Sequence, residues 1–144
     1  MRIVVQRVKS ASVEVDGAIT GRIDKGLLLL VGFTQGDNIE NINYMINKVI
    51  NLRIFDDTNG VMNLSVKDIA GSVLSVSQFT LYGDASKGNR PSYVNALKGE
   101  ESIKLYEIFN NKLSEVIHTE TGIFGADMKV NLLNDGPVTI LLEK

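Results

Sequence analysis

The sequence predicts a single α+β domain: a curved, mostly antiparallel, barrel-like sheet packed on two long helices. Three observations carry this. Segments of strand composition lie before, between and after two helical stretches. Each helical stretch places apolar residues three and four positions apart, as one buried stripe requires. No repeat, linker or low-complexity tract divides the 144 residues, a length that fits one compact domain over residues 1–144.

Arg2 to Val15 is valine-rich and alternates toward its end, and Asp16-Gly17 is a two-residue hairpin signal. Ala18 to Ile23 reads as the return strand. Leu27-Leu28-Leu29-Leu30-Val31 continues to Phe33 as a strand apolar on both faces. Asn38 is a candidate N-cap for a helix over Ile39 to Asn51, with Ile39, Ile42, Met45, Ile46, Val49 and Ile50 on one stripe. Leu52 to Phe55 and Val61 to Leu64 flank the turn cluster Asp56-Asp57-Thr58-Asn59-Gly60 as a second hairpin. Val73 to Leu81 reads as a core strand and Tyr82 to Pro91 as a loop. A second helix is predicted from Glu100 to His118, its stripe being Ile103, Tyr106, Phe109, Leu113, Val116 and Ile117. Gly122 and Gly125 mark a loop. Asp127 to Leu133 and Val138 to Leu142 are two closing strands, and by local rules Asn134-Asp135-Gly136-Pro137 between them is a hairpin turn.

Composition excludes several chemistries. There is no cysteine, which removes disulfides, thiol nucleophiles and thiolate metal sites and fits a reducing compartment. The N-terminal segment is broken by charge, so neither a signal peptide nor a membrane span is expected. Net charge is −2 and the pI about 5.4, so any nucleic-acid contact must come from a local basic patch. The single histidine, His118, falls in the predicted last helical turn, where a favourable dipole contact is its ordinary role. That leaves little for a Ser-His-Asp arrangement. No His/Cys spacing suits zinc, and Gly83, Gly88 and Gly99 are too scattered for a phosphate cradle. No metal or cofactor is expected. Asp56 and Asp57 read as solvated turn residues.

Two segments remain. Ser77-Gln78-Phe79-Thr80 lies where a predicted strand meets a loop, a common place for functional groups. Strand alternation puts Gln78 and Thr80 on the face of Leu74 and Val76, aimed inward. Alternatively the threonine hydroxyl is satisfied by its neighbours and Gln78 ties down the loop. Asn134-Asp135-Gly136-Pro137-Val138-Thr139 is, on local rules, only a turn.

Taken in order, Met1 to Val8, the Asp16-Gly17 hairpin, Ser77 to Leu81, Lys87-Gly88-Asn89-Arg90-Pro91, Gly122 to Met128 and Asn134 to Thr139 resemble the D-aminoacyl-tRNA deacylase family along essentially the whole chain. The resemblance implies a cytoplasmic homodimer with two sites at the subunit interface. It implies a cis Gly136–Pro137 bond and a Gly-Pro dipeptide that reaches into the partner's site. The implied reaction is hydrolysis of the ester joining a D-amino acid, or glycine mischarged on alanine tRNA, to the terminal ribose of tRNA, with L-aminoacyl esters rejected.

On that reading Ser77, Gln78, Phe79 and Thr80 form the catalytic segment, with backbone N–H groups near Phe79 and Thr80 as oxyanion donors. Thr80 positions water or substrate; as a nucleophile it would need a base, and none is near in sequence. Gly136 and Pro137 carbonyls fix the substrate's amino group, Arg7 braces them, and Asn134 and Thr139 frame the segment. Met128 lines an adenosine pocket or is a core methionine, and Phe124 packs beside it. Lys87 and Arg90 contact tRNA phosphates or are merely solvated. Two other readings stay open: a non-catalytic dimeric module binding a small ligand or RNA end, and a hydrolase of other D-amino-acid derivatives.

Overall fold

The strand β1 (Arg2–Val15) organises the molecule, because it pairs along both edges. On one edge its first half meets β3 (Gly26–Gly32) and its second half meets β2 (Ala18–Ile23); on the other it meets β8 (Lys129–Glu143). The computed structural model describes residues 1–144. The sheet continues from β3 to β6 (Ser72–Ser77) and β7 (Thr119–Thr121), curling into a nearly closed barrel. A separate hairpin, β4 (Phe55–Asp56) and β5 (Met62–Leu64), stands beside it. The β1–β2 turn has Asp16 and Gly17 both at positive φ, 51° and 82°, the geometry of a tight two-residue hairpin.

The sheet is mixed: three of its five pairings are antiparallel, and the two beyond β3 are not. β3–β6 and β6–β7 pair in parallel. Each pair is joined by a long crossover that contains a helix, α1 (Ile39–Asn51) or α2 (Gly99–Ser114), and a crossover of that kind returns the chain in the same direction.

α1 runs over the predicted residues. Asn38 Oδ1 accepts from the Glu40 and Asn41 N–H groups, and Asn41 Oδ1 accepts from the Asn38 N–H, a reciprocal cap. Its buried face is Ile42, Met45, Ile46, Val49 and Ile50, while Ile39 is exposed. Burying each of these side chains contributes roughly 2 kcal/mol. α2 stops at Ser114, short of His118, because the next segment is drawn into the sheet: the Val73 N–H donates to the His118 carbonyl and β7 follows, a strand the sequence reading lacked. Of the predicted stripe, Ile103 and Val116 are exposed, and Ser102 is buried.

Strand alternation distributes the core between two layers. Leu27, Leu29, Val31 and Val73 face the helices with Ile42, Met45, Phe109 and Leu113. Leu28, Leu74 and Val76 face the barrel interior with Val8, Ala11, Val13 and Ile23. The predicted hairpin at residues 134–137 is absent. Residues on both sides of it pair with β1, Asn134 opposite Val8 and Thr139 opposite Gln6. Residues 135–138 therefore bulge from one continuous strand opposite the single residue Arg7. No helix is long and apolar enough to cross a membrane.

Candidate active site

β6 ends at Ser77, not Leu81. Phe79–Tyr82 forms a single 3-10 turn, with Gln78 between the two. The face assignment drawn from strand alternation therefore fails for Gln78 and Thr80. Gln78 is fixed to β3 through its N–H, which donates to the Val31 carbonyl at 2.7 Å. Gly32 makes room for the turn: a Cβ there would lie 2.8 Å from the Gln78 carbonyl and 3.3 Å from Leu81 Cβ. Gln78 Nε2 hydrogen-bonds Thr80 Oγ1. N–H groups that open a helical turn have no carbonyl partner inside it, so those of Phe79 and Thr80 are donors this turn can present.

Beside the turn lies a cavity of about 260 Å³. Ser77, Gln78 and Phe79 form one wall, and Phe124 and Met128 another, from the segment after β7. Ser102, on α2, brings a buried hydroxyl to the lining. Thr80 is exposed next to the cavity. Phe79 is also exposed and meets Tyr93 edge-on, with ring centroids 5.2 Å apart. Arg2, which no local pattern marks, closes the far end of the turn. Its Nη1 donates to the Leu81 carbonyl at 3.0 Å and its guanidinium lies 4.6 Å over the Tyr82 ring. Burial pushes the Tyr82 phenol up to about 12; Asp37 adds to the shift and Arg2 opposes it.

Lys87 and Arg90 are exposed on the loop that follows the turn. That loop is cinched at its base by the Asp84–Ser92 backbone pair. The Asp84 carboxylate accepts from the Ser86 side chain and N–H, which holds it below the usual range. His118 lies outside α2, exposed, with Nε2 3.2 Å from Glu120 Oε1. It makes no end-of-helix contact. No group of three or more histidine, aspartate or glutamate side chains is arranged to hold a metal.

The second segment forms the bulge on β8. Arg7 is 6% exposed; its Nε donates to the Asp135 carbonyl at 3.1 Å and its Nη1 to the Ile54 carbonyl at 2.7 Å. Asp56 and Asp135 carboxylates each lie 3.5 Å from it. Asn134 Nδ2 spans the base of the bulge, donating to the Arg7 and Val138 carbonyls, and Thr139 Oγ1 donates to Asn134 Oδ1 at 3.4 Å. Gly136 and Pro137 stand exposed at the tip, joined by a cis peptide bond, with Gly136 at φ 121°.

The two segments do not meet within one chain. Ser77 pairs with Val31, whereas Arg7, which carries the bulge, pairs with Leu27. Four residues along β3 separate them, roughly 13 Å at about 3.3 Å per residue.

Among solved structures, one named "c-Myc DNA Unwinding Element Binding Protein" is 39% identical, with TM-score 0.95, and the match covers 100% of this chain and 99% of that one. Another, named for "a probable eukaryotic D-amino acid tRNA deacylase", shares the fold at 15% identity and TM-score 0.83, covering 98% and 97% of the two chains. The family model described as D-Tyr-tRNA(Tyr) deacylase matches residues 4–143. The chain therefore belongs to the D-Tyr-tRNA(Tyr) deacylase family and is a hydrolase of the aminoacyl-tRNA ester bond.

Proposed function

We propose that the protein is a chiral proofreading esterase. It removes D-amino acids, and glycine mischarged on alanine tRNA, from tRNA in the cytoplasm, and it works as a homodimer. The observation that supports this best is the cavity lined by Ser77, Gln78 and Phe79 on one side and Phe124 and Met128 on the other, at the start of a 3-10 turn whose first N–H groups have no carbonyl partner inside it. The terminal adenosine of tRNA fills the Phe124 and Met128 side, and the ester carbonyl lies against the turn.

Hydrolysis of an aminoacyl ester needs little acid help at the leaving oxygen. Water adds to the carbonyl carbon and the developing oxyanion takes hydrogen bonds from the Phe79 and Thr80 N–H groups. The C–O bond to the ribose then breaks, the ribose oxygen takes a proton, and the carboxylic acid leaves. Thr80, bonded to Gln78, orients water or substrate. It has no neighbouring base to make it a nucleophile.

Chirality is sorted by the Gly136-Pro137 bulge of the other subunit, whose carbonyls hold the substrate's amino group. An L side chain then meets a wall, a D side chain points outward, and glycine fits either way. Steric rejection of this kind discriminates more strongly than attraction to a pocket. Two features support a site shared between chains: the separation of bulge and turn within one chain, and the exposed apolar residues Leu132, Leu133 and Leu141 on β8 around the bulge. Lys87 and Arg90 meet tRNA phosphates beyond the cavity.

Mixing subunits tests the shared site. Phe79→Pro removes a turn N–H, and Gly136→Ala disturbs the bulge. Phe79→Pro alone should be inactive, and Gly136→Ala alone should keep only about 1% of the activity. A mixture that exchanges subunits should regain activity, because one hybrid site has both parts intact. If both segments acted within one chain, mixing would restore nothing.

The name of the 39% identical structure brings a second reading, a binder of a DNA unwinding element. A net charge of −2 does not separate the two, since tRNA and DNA are both polyanions; the cavity beside the Ser77–Phe79 segment favours the esterase.

A further inference from the structure

We propose that Tyr106 is a positioning residue for the cavity: its hydroxyl and ring together fix Phe124 where the substrate's terminal nucleoside stacks. This rests on the nucleoside reading of the cavity given above. Tyr106 lies on α2, is 3% exposed and does not line the cavity itself. Its hydroxyl donates to the Ser75 carbonyl at 2.9 Å, and Ser75 Oγ lies 3.4 Å from the same hydroxyl. The Ser75 carbonyl also accepts from the Gly122 N–H at 3.0 Å. One carbonyl oxygen thus joins β6, α2 and the start of the segment that supplies Phe124 and Met128.

The consequences run to both walls. Two residues beyond Ser75 on β6 is Ser77, in the first wall. Two residues beyond Gly122 is Phe124, in the second, and the Tyr106 ring packs against it with centroids 5.7 Å apart at 51°. Gly122 packs closely on the Met128 side chain, so that a Cβ at Gly122 would lie 2.5 Å from the sulfur. Burial raises the Tyr106 phenol above its ordinary value, so it remains a donor throughout the working pH range. A buried tyrosine that only filled core volume would use its ring; the bond to a carbonyl shared by both walls adds a geometric constraint.

The test uses adenosine 5′-monophosphate as the probe and reads its dissociation constant by calorimetry, with thermal midpoints recorded in parallel. Tyr106→Phe keeps the ring and removes the hydroxyl. Binding should weaken about five- to tenfold in the otherwise native protein and less than twofold in a Phe124→Leu background, because the effect passes through Phe124. An equal loss in both backgrounds, or no loss in the native one, overturns the proposal, as does failure of the unaltered protein to bind the probe. A second measurement needs no substitution. In the unaltered protein, adding the probe should shift the Tyr106 and Phe124 ring resonances together, and a Phe124 shift without Tyr106 counts against the coupling. Normal probe binding and coupling without any ester hydrolysis would instead overturn the esterase reading and leave the joint intact.

Discussion

Gly136→Ala is the most informative single substitution. Gly136 sits at φ 121°, a region that costs a side-chain-bearing residue roughly 1–3 kcal/mol. An added Cβ would lie 2.8 Å from Val138 Cγ2, 2.9 Å from Arg7 Nη2 and 3.1 Å from the Val138 nitrogen. The side chains can give by a few tenths of an ångström; the backbone nitrogen yields less. Moving Arg7 also strains its bonds to the Asp135 and Ile54 carbonyls, and a bond to a charged group contributes about 1.5–3 kcal/mol. Partial loss of one such bond plus the backbone strain gives a destabilisation of about 3 kcal/mol. In a chain of this size each kcal/mol lowers Tm by roughly 2–4 °C, so a fall of about 6–12 °C is expected. The bulge carbonyls would shift by up to about 1 Å, enough to reduce deacylation of D-aminoacyl-tRNA about 100-fold. Calorimetry and single-turnover kinetics check both. A variant within a degree of the unaltered protein, and as fast on D esters, would show that the bulge needs neither the glycine backbone nor the Arg7 contacts.

Other expectations follow from the same geometry. Gly32→Ala should push the Gln78 carbonyl and the turn outward, lowering kcat more than it raises KM; unchanged kinetics would show that the turn tolerates displacement. Thr80→Ala should slow single-turnover hydrolysis about tenfold, far short of the roughly 10⁴-fold or greater loss that follows removal of a covalent nucleophile, and a near-normal rate would remove Thr80 from any central role. Replacing Lys87 and Arg90 together by glutamine should reduce the slope of log K against log salt for tRNA binding by about 1.4, and an unchanged slope would show that they are only solvated. Tyr82 is held neutral, so its contribution to stability is full below its unfolded pKa of about 10 and is lost as pH rises through about 12. Tyr82→Phe should flatten that part of the stability–pH profile, as chemical denaturation can read.

Much of the fold was legible because local chemistry dictated it. Asn38 and the Ile42, Met45, Ile46, Val49, Ile50 stripe place α1, and Asp16-Gly17 places the first hairpin. The failures share one cause, pairing partners distant in sequence. Nothing local in Asn134-Asp135-Gly136-Pro137 shows that both flanks pair with β1, more than 120 residues earlier, so a turn composition became a bulge. His118 looked helical until the Val73 N–H claimed its carbonyl. Val73 to Leu81 is apolar enough for a strand throughout, yet the chain turns at Gln78, where Gly32 leaves room. Elimination singles out the Ser77–Thr80 segment, and Ser77, Gln78 and Phe79 line the cavity. Arg2, Ser102 and Tyr106 were not found as site residues, because their roles depend on contacts up to 79 residues apart. Those contacts carry no sequence signal.

The most direct measurement is deacylation of D-Tyr-tRNA and L-Tyr-tRNA by the same protein under single-turnover conditions, with D-Asp-tRNA alongside. Both D esters should be lost rapidly, at rates within about tenfold of each other, since discrimination acts on the α-carbon and not the side chain. L-Tyr-tRNA should persist. Equal loss of the D and L esters would contradict the chiral gate, and no loss of either would contradict the proposed activity.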